Sequence, residues 1–141
     1  MDRIEVLVMS QFNAENYSED NNCEQCTLIF ITSHGDDDAD IIENEYNGIE
    51  SILRLQFNDS DGDDGITYDD AKAIAEFVKT KCIYNRLIVH CGAGRSRSAG
   101  VAAAILKYLY NDDRQIFNNK RYGPNMRCYR YVLEALMEMD K

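Results

Sequence analysis

The sequence contains no apolar run long enough to cross a membrane, since a transmembrane helix needs about 20 mostly apolar residues. Its beginning does not resemble a secretory signal peptide either, because Asp2 and Arg3 precede only a short apolar run, Val6 to Met9. We therefore expect a cytoplasmic protein that does not associate with membranes.

Proline is scarce as well. Pro124 is the only proline among 141 residues, and neither a repeat nor a Gly/Ser-rich linker interrupts the chain. Because 45% of the residues are apolar, the chain can form a hydrophobic core. We predict one domain over residues 1–141, while its oligomeric state stays open.

Positive charge is the third shortage. The 15 Lys and Arg residues are outnumbered by 25 Asp and Glu residues, and the formal net charge is −10. A chain this acidic repels nucleic acids and anionic membranes, so we expect neither as a partner. The acidic residues cluster at 36–45 and 59–70, and the basic residues gather late in the chain, which places an anion site in its later half.

The five cysteines are an odd number, and without a secretion signal they argue against a disulfide framework. In a reducing compartment the thiols stay free, so that one can act as a nucleophile. Cys23 and Cys26 have the spacing of half a zinc site or of a redox pair, but no second pair follows and His34 is the only nearby ligand. We predict neither a metal nor a cofactor.

Strand and helix patterns alternate along the chain. Apolar runs with β-branched residues predict strands at Ile4–Met9, Thr27–Ile31, Ser51–Gln56 and Leu87–His90. Apolar residues at helical spacing predict helices that begin after Thr67, with Asp70 completing a capping box, and that span Ser98–Tyr110 and residues 125–139. This alternation predicts an α/β fold, with a central, largely parallel sheet of four to five strands flanked by helices.

A polar loop with two glycines lies between the fourth predicted strand and the helix that follows, in the segment HCGAGRSRS. Inward-pointing N–H groups and the start of a helix would make such a loop a cradle for phosphate. Gly92 and Gly94 allow positive φ and close approach to the ligand. Arg97 can bind two phosphate oxygens with its planar guanidinium.

The same surroundings predict an activated thiol at Cys91. Inward N–H groups, a helix N-terminus and the charge of Arg97 all lower the pKa of a cysteine, so we expect a thiolate nucleophile at neutral pH. Ser98 can donate a hydrogen bond to the sulfur and make it a better leaving group.

HCGAGRSRS resembles the signature H-C-x-x-G-x-x-R-S of the protein tyrosine phosphatase superfamily, and its A-G-x-S-R-S form is most similar to the dual-specificity branch. The resemblance extends over roughly residues 50–137. It implies a phosphatase-like fold and phosphomonoester hydrolysis through a phosphocysteine, with Cys91, Arg97 and Ser98 as catalytic residues. The predicted substrate-binding residues are Gly92, Ala93, Gly94, Arg95, Ser96 and His90. His90 is expected to hold the loop by hydrogen bonding rather than to act as a base.

The resemblance also implies an aspartic acid upstream that protonates the leaving oxygen. Asp59 follows the third predicted strand and is our first candidate, with Asp61, Asp63 and Asp64 as alternatives. Residues 59–70 also look superficially like a calcium loop, but Gly65 falls one position late and the last position is Asp rather than Glu.

The predicted substrate is a phosphorylated protein, through phosphotyrosine or dual specificity, or a small phosphoester. Two alternatives stay open: an RNA 5′-phosphatase with the same loop, and a non-catalytic module that binds phosphorylated residues. Tyr122 and Tyr129 are expected in the core or at the surface rather than as clamps for a substrate ring.

Overall fold

The structure, a computed structural model of the chain, describes residues 4–10, 26–33, 49–81 and 86–141. The predictions for Cys23, His34 and the acidic cluster at 36–45 therefore lie outside the described residues.

Within these ranges, parallel strands form one four-stranded sheet in the order β1-β4-β2-β3. The strands are β1 (Glu5–Ser10), β2 (Cys26–Thr32), β3 (Ile49–Gln56) and β4 (Arg86–Cys91). Every residue of β2 is buried, as expected for an inner strand that is covered on both faces. The predicted α/β fold with a central parallel sheet is confirmed.

Side chains of the inner strands alternate between the two faces of the sheet. Leu87, Val89 and Cys91 join the large core beneath the helices. Leu28, Phe30 and Ile88 form a second buried cluster with Cys26 on the other face. Residues 90 and 91 therefore project to opposite faces, although they are neighbours in sequence.

The described helices are α1 (Tyr68–Lys81), α2 (Arg97–Tyr110), α3 (Arg114–Phe117) and α4 (Met126–Glu138). The predicted capping box opens α1: the N–H of Asp70 donates to Thr67 Oγ1 over 3.1 Å, and the N–H of Thr67 donates to Asp70 Oδ2 over 3.0 Å. The sequence prediction missed α3, because one helical turn is too short to show a periodic pattern. No described helix combines the length and apolar character needed to cross a bilayer.

Helix α2 is buried from Arg97 to Leu106, since it packs between the sheet and α4. Gly100 makes this close approach possible. A Cβ at this position would overlap the carbonyl oxygen of Asn125 and lie 2.9 Å from Cys128 Cβ. The start of α4 is thereby brought beside the start of α2.

Candidate active site

The Cys91 loop (residues 91–97) connects β4 to α2 at the carboxyl ends of the strands. In open α/β sheets, ligands bind in the crevice outside these ends. Cys91 closes β4 and is only 2% exposed, whereas Gly92, Ala93 and Arg95 are exposed. The loop thus has a buried sulfur at its base and exposed residues at its rim.

The two glycines of the loop differ in their backbone requirements. Gly94 has φ +69°, and a Cβ there would lie 2.7 Å from the carbonyl oxygen of Met9 and overlap the backbone nitrogen of Ser10. A side chain at Gly94 would therefore be strained and would collide with the end of β1. A Cβ at Gly92 would make only an ordinary contact, 3.5 Å from Arg97 Nη2. The positive φ expected at both glycines is found at Gly94 and not at Gly92.

The Cys91 thiol is surrounded by hydrogen-bond donors. Its sulfur lies 3.1 Å from Ser98 Oγ and accepts the Ser98 N–H over 3.4 Å. Burial acts to raise the pKa of Cys91, but the two hydrogen bonds from Ser98, the N–H of Gly94 and the charge of Arg97 outweigh it, and the pKa falls below its usual value. The direction agrees with the sequence-based expectation of a thiolate.

Cys128 shows what burial does without such donors. Its thiol is also buried, and desolvation, with the negative charges of Asp59 and Cys91, raises its pKa to about 12. Cys26 is fully buried in β2. Of Cys91 and Cys128, Cys91 is therefore the one whose surroundings favour the reactive thiolate.

Arg97 is held at the base of the loop by two neighbouring strands. Its Nη1 donates to Ser33 Oγ over 2.9 Å and to the carbonyl oxygen of Phe57 over 2.8 Å. Ser33 follows β2 and Phe57 follows β3, so both partners lie at the carboxyl edge of the sheet. The other terminal nitrogen, Nη2, lies on the loop side, 3.5 Å from where a Cβ at Gly92 would be.

Asp59 is exposed, yet its carboxylate is joined to the Cys91 loop. Asp59 Oδ1 accepts a hydrogen bond from Ser96 Oγ over 2.7 Å and another from Asn125 Nδ2 over 2.8 Å. Residues 37 positions apart, Asp59 and Ser96, are thus brought together. The structure places the first candidate for the acid at the edge of the loop that holds the candidate nucleophile.

Three other acidic residues of this segment, Asp61, Asp64 and Asp70, have different partners, and Asp63 is exposed. Asp61 faces Arg130 over 3.6 Å, and Asp64 accepts a hydrogen bond from Asn58 over 3.2 Å. Asp70 caps α1. In the described part of the chain, no three acidic, histidine or cysteine side chains are grouped to hold a metal ion.

His90 is not placed as expected. Its ring is fully buried on the opposite face of the sheet from Cys91, with its centroid 3.9 Å from that of Phe30. Neither ring nitrogen has a hydrogen-bond partner among the described residues. Desolvation and the charge of Arg54 lower the pKa of His90 to about 3, so the ring is neutral. The expected hydrogen bond to the loop is not found, because the ring packs against Phe30 on the face of the sheet away from the Cys91 thiol.

The two tyrosines have surroundings that suit packing. Tyr129 donates its hydroxyl to Asp113 over 2.7 Å and meets the ring of Phe117 edge-on. Desolvation and this hydrogen bond raise the pKa of Tyr129 to about 12. Tyr122 is half-buried beside Arg121.

Sequence reasoning missed two residues of the site, Ser33 and Asn125. Ser33 has no local signal, because only the fold brings it to Arg97. Asn125 directly precedes the last helix, where an asparagine is a typical N-cap, but its contact with Asp59 depends on tertiary structure.

The fold is similar to those of solved phosphatases. The Cydia pomonella PTP-2 phosphatase aligns with a TM-score of 0.63 and 18% identity, over 94% of this chain and 86% of that chain. Human DUSP28 aligns with a TM-score of 0.60 and 17% identity, over 96% and 93%. PTPMT1 in complex with PI(5)P aligns with a TM-score of 0.61 and 20% identity, over 96% and 92%. No protein-family model and no curated protein matches the sequence. The predicted phosphatase-like fold is confirmed.

Proposed function

We propose that this protein is a cysteine-dependent phosphatase that hydrolyses phosphomonoesters at the Cys91 loop. The observation that supports this most directly is the environment of the Cys91 thiol. The sulfur is buried, yet donors from Ser98 and Gly94 and the charge of Arg97 lower its pKa. A stabilised thiolate beside a guanidinium, at the start of a helix, suits attack on a bound phosphoryl group.

The first step forms a phosphocysteine. Cys91 Sγ attacks the phosphorus atom in line, and the bond from phosphorus to the leaving oxygen breaks. Asp59 transfers its proton to that oxygen as general acid. The loop N–H groups and the Nη2 side of Arg97 hold the remaining phosphoryl oxygens and stabilise their negative charge in the transition state.

The second step releases phosphate. Asp59, now ionised, accepts a proton from a water molecule that attacks phosphorus, and the S–P bond breaks. The sulfur leaves as a thiolate, which the hydrogen bond from Ser98 Oγ stabilises. The cycle ends with Asp59 protonated and Cys91 ionised, and it requires neither cofactor nor metal.

The proposed substrate is a phosphorylated protein, with phosphotyrosine or dual specificity, or a small phosphoester. The solved complex of PTPMT1 with PI(5)P adds a phosphoinositide to the compounds worth testing. We also place the protein in the cytoplasm, because a reducing compartment keeps the nucleophilic thiol free.

Hydrolysis of an aryl phosphate by the wild type and by Cys91→Ser tests the mechanism. We expect the variant to lose turnover but to retain phosphate or vanadate binding, since the loop amides are unchanged. Cys26→Ala, which alters a buried thiol in β2, serves as the control and should keep its activity. Full turnover by Cys91→Ser would refute covalent catalysis.

A substrate panel separates the alternatives. Phosphopeptides, PI(5)P and 5′-phosphorylated RNA are compared at equal concentration with wild type and Cys91→Ser. We expect preferential turnover of phosphopeptides. Turnover of RNA alone would support the RNA 5′-phosphatase alternative. Tight binding of phosphopeptides without turnover of any substrate would indicate a non-catalytic binding module.

A further inference from the structure

Asn125 lies between the Cys91 loop and Asp59, and the mechanism above gives it no role. Both ends of its side-chain amide have partners. Oδ1 accepts the N–H of Cys128 over 2.9 Å and thereby caps α4, while Nδ2 donates to Asp59 Oδ1 over 2.8 Å. A flipped amide would set its oxygen against a carboxylate and its NH₂ group against an N–H, so these partners determine its orientation.

Asp59 Oδ1 receives a second hydrogen bond, from Ser96 Oγ over 2.7 Å. A carboxylate oxygen has two lone-pair directions, and two donors occupy both. The transferable proton of Asp59 therefore belongs on the other oxygen, Oδ2. Ser96 and Asn125 thus distinguish the two oxygens of an otherwise exposed carboxyl group.

The backbone around Asn125 is attached to the Cys91 loop. The N–H of Asn125 donates to the carbonyl oxygen of Ser96 over 2.9 Å, and the N–H of Gly123 donates to that of Arg95, also over 2.9 Å. Gly100 allows the carbonyl of Asn125 to pack directly against α2. Asn125 therefore has a set position relative to the loop that contains the nucleophile.

We propose that Asn125 is a positioning residue for the general acid. Together with Ser96 it holds Oδ1 of Asp59 and directs Oδ2 toward the leaving oxygen, at a separation from Cys91 set by the loop. This inference rests on the proposed function, because it requires Asp59 to be the acid. It assigns Asn125 a role in catalysis beyond capping α4.

The variant Asn125→Ser separates the two roles. Serine is an N-cap as good as asparagine, but its short side chain cannot reach Asp59. With a phosphotyrosine peptide, whose leaving group needs a proton, we expect kcat to fall about 10- to 100-fold at unchanged KM. With an activated aryl phosphate, whose leaving group needs no proton, the loss should be much smaller.

Two controls accompany this variant. Asn118→Ser makes the same exchange at an exposed position after α3 and should behave as wild type. Thermal unfolding of Asn125→Ser shows whether the cap survives. If it does not, Asn125→Thr is a second variant that keeps a capping oxygen and lacks the reach.

A double-mutant cycle gives the decisive result. If Asn125 acts through Asp59, then Asn125→Ser should add no further loss in an Asp59→Asn background. The positioning role would be overturned if Asn125→Ser lowered kcat equally in the wild-type and Asp59→Asn backgrounds. It would also be overturned if the loss of kcat were equal with both leaving groups. A leaving-group-dependent defect in Asp59→Asn but not in Asn125→Ser would refute the positioning role alone. If Asp59→Asn itself shows no leaving-group-dependent defect, the assignment of Asp59 as the acid is refuted, and the positioning role with it.

Discussion

Replacing Ser98 by alanine tests the part of the site that acts on the sulfur. Ser98 is fully buried, its Oγ lies 3.1 Å from Cys91 Sγ, and its N–H donates to the same sulfur. The substitution removes the hydroxyl donor but keeps the N–H, so the loop should keep its shape. The lost hydrogen bond is one that stabilises a charge, the thiolate.

The size of the effect follows from the strength of that bond. A hydrogen bond to a charged group contributes about 1.5–3 kcal/mol. If this stabilisation is lost when the thiolate leaves phosphorus, the second step slows by about 10- to 150-fold. The pKa of the Cys91 thiol should rise at the same time, because the thiolate loses one of the donors that lower it.

Two measurements check this prediction. The pH dependence of alkylation by iodoacetate reports the thiolate, and its midpoint should move to higher pH in Ser98→Ala. Rapid mixing with an activated aryl phosphate, above that midpoint, should show a burst of aryl product followed by slow turnover. Cys91→Ser identifies the alkylated residue. Ser51→Ala is the matched control, because Ser51 lies near the start of β3, at the end of the sheet away from the Cys91 loop. An unmoved midpoint without a burst would contradict the role of Ser98.

Three further predictions concern the Cys91 loop and His90. Arg97→Lys keeps the charge but loses the planar fork, and we expect kcat for an aryl phosphate to fall about 100-fold or more; near-normal kinetics would exclude contact with the phosphoryl group. Gly94→Ala should lower the melting temperature and abolish vanadate binding, whereas Gly92→Ala, which makes no close contact, should do neither. Equal effects of the two variants would contradict the argument that the positive φ of Gly94 requires a glycine. The pKa of His90 is lowered from 6.5 to about 3, so the unfolded chain binds a proton that the folded chain does not, and stability falls as the pH drops through this window. In urea denaturation between pH 6.5 and 4, His90→Leu should reduce the slope of the unfolding free energy against pH by up to about 1.4 kcal/mol per pH unit. Equal slopes for the wild type and the variant would contradict a lowered pKa of His90.

Features encoded within short segments could be predicted from the sequence. The capping box of α1 joins residues three apart, and Cys91 to Ser98 lie in one strand–loop–helix segment, so their contacts follow from local geometry. The parallel sheet follows from the alternation of strands and helices. The opposite orientation of His90 also follows from the sequence, since neighbouring residues of a strand project to opposite faces.

Contacts between distant segments were decided by tertiary structure. Arg97 meets Ser33 and Phe57 because all three lie at the carboxyl edge of one sheet, where the strand order places β4 and β3 on either side of β2. Asp59 could be proposed from its place after a strand, but its choice over Asp61 as the residue joined to the loop depends on Ser96 and Asn125. No periodicity or spacing reports such contacts, because they depend on how separate elements pack around one core.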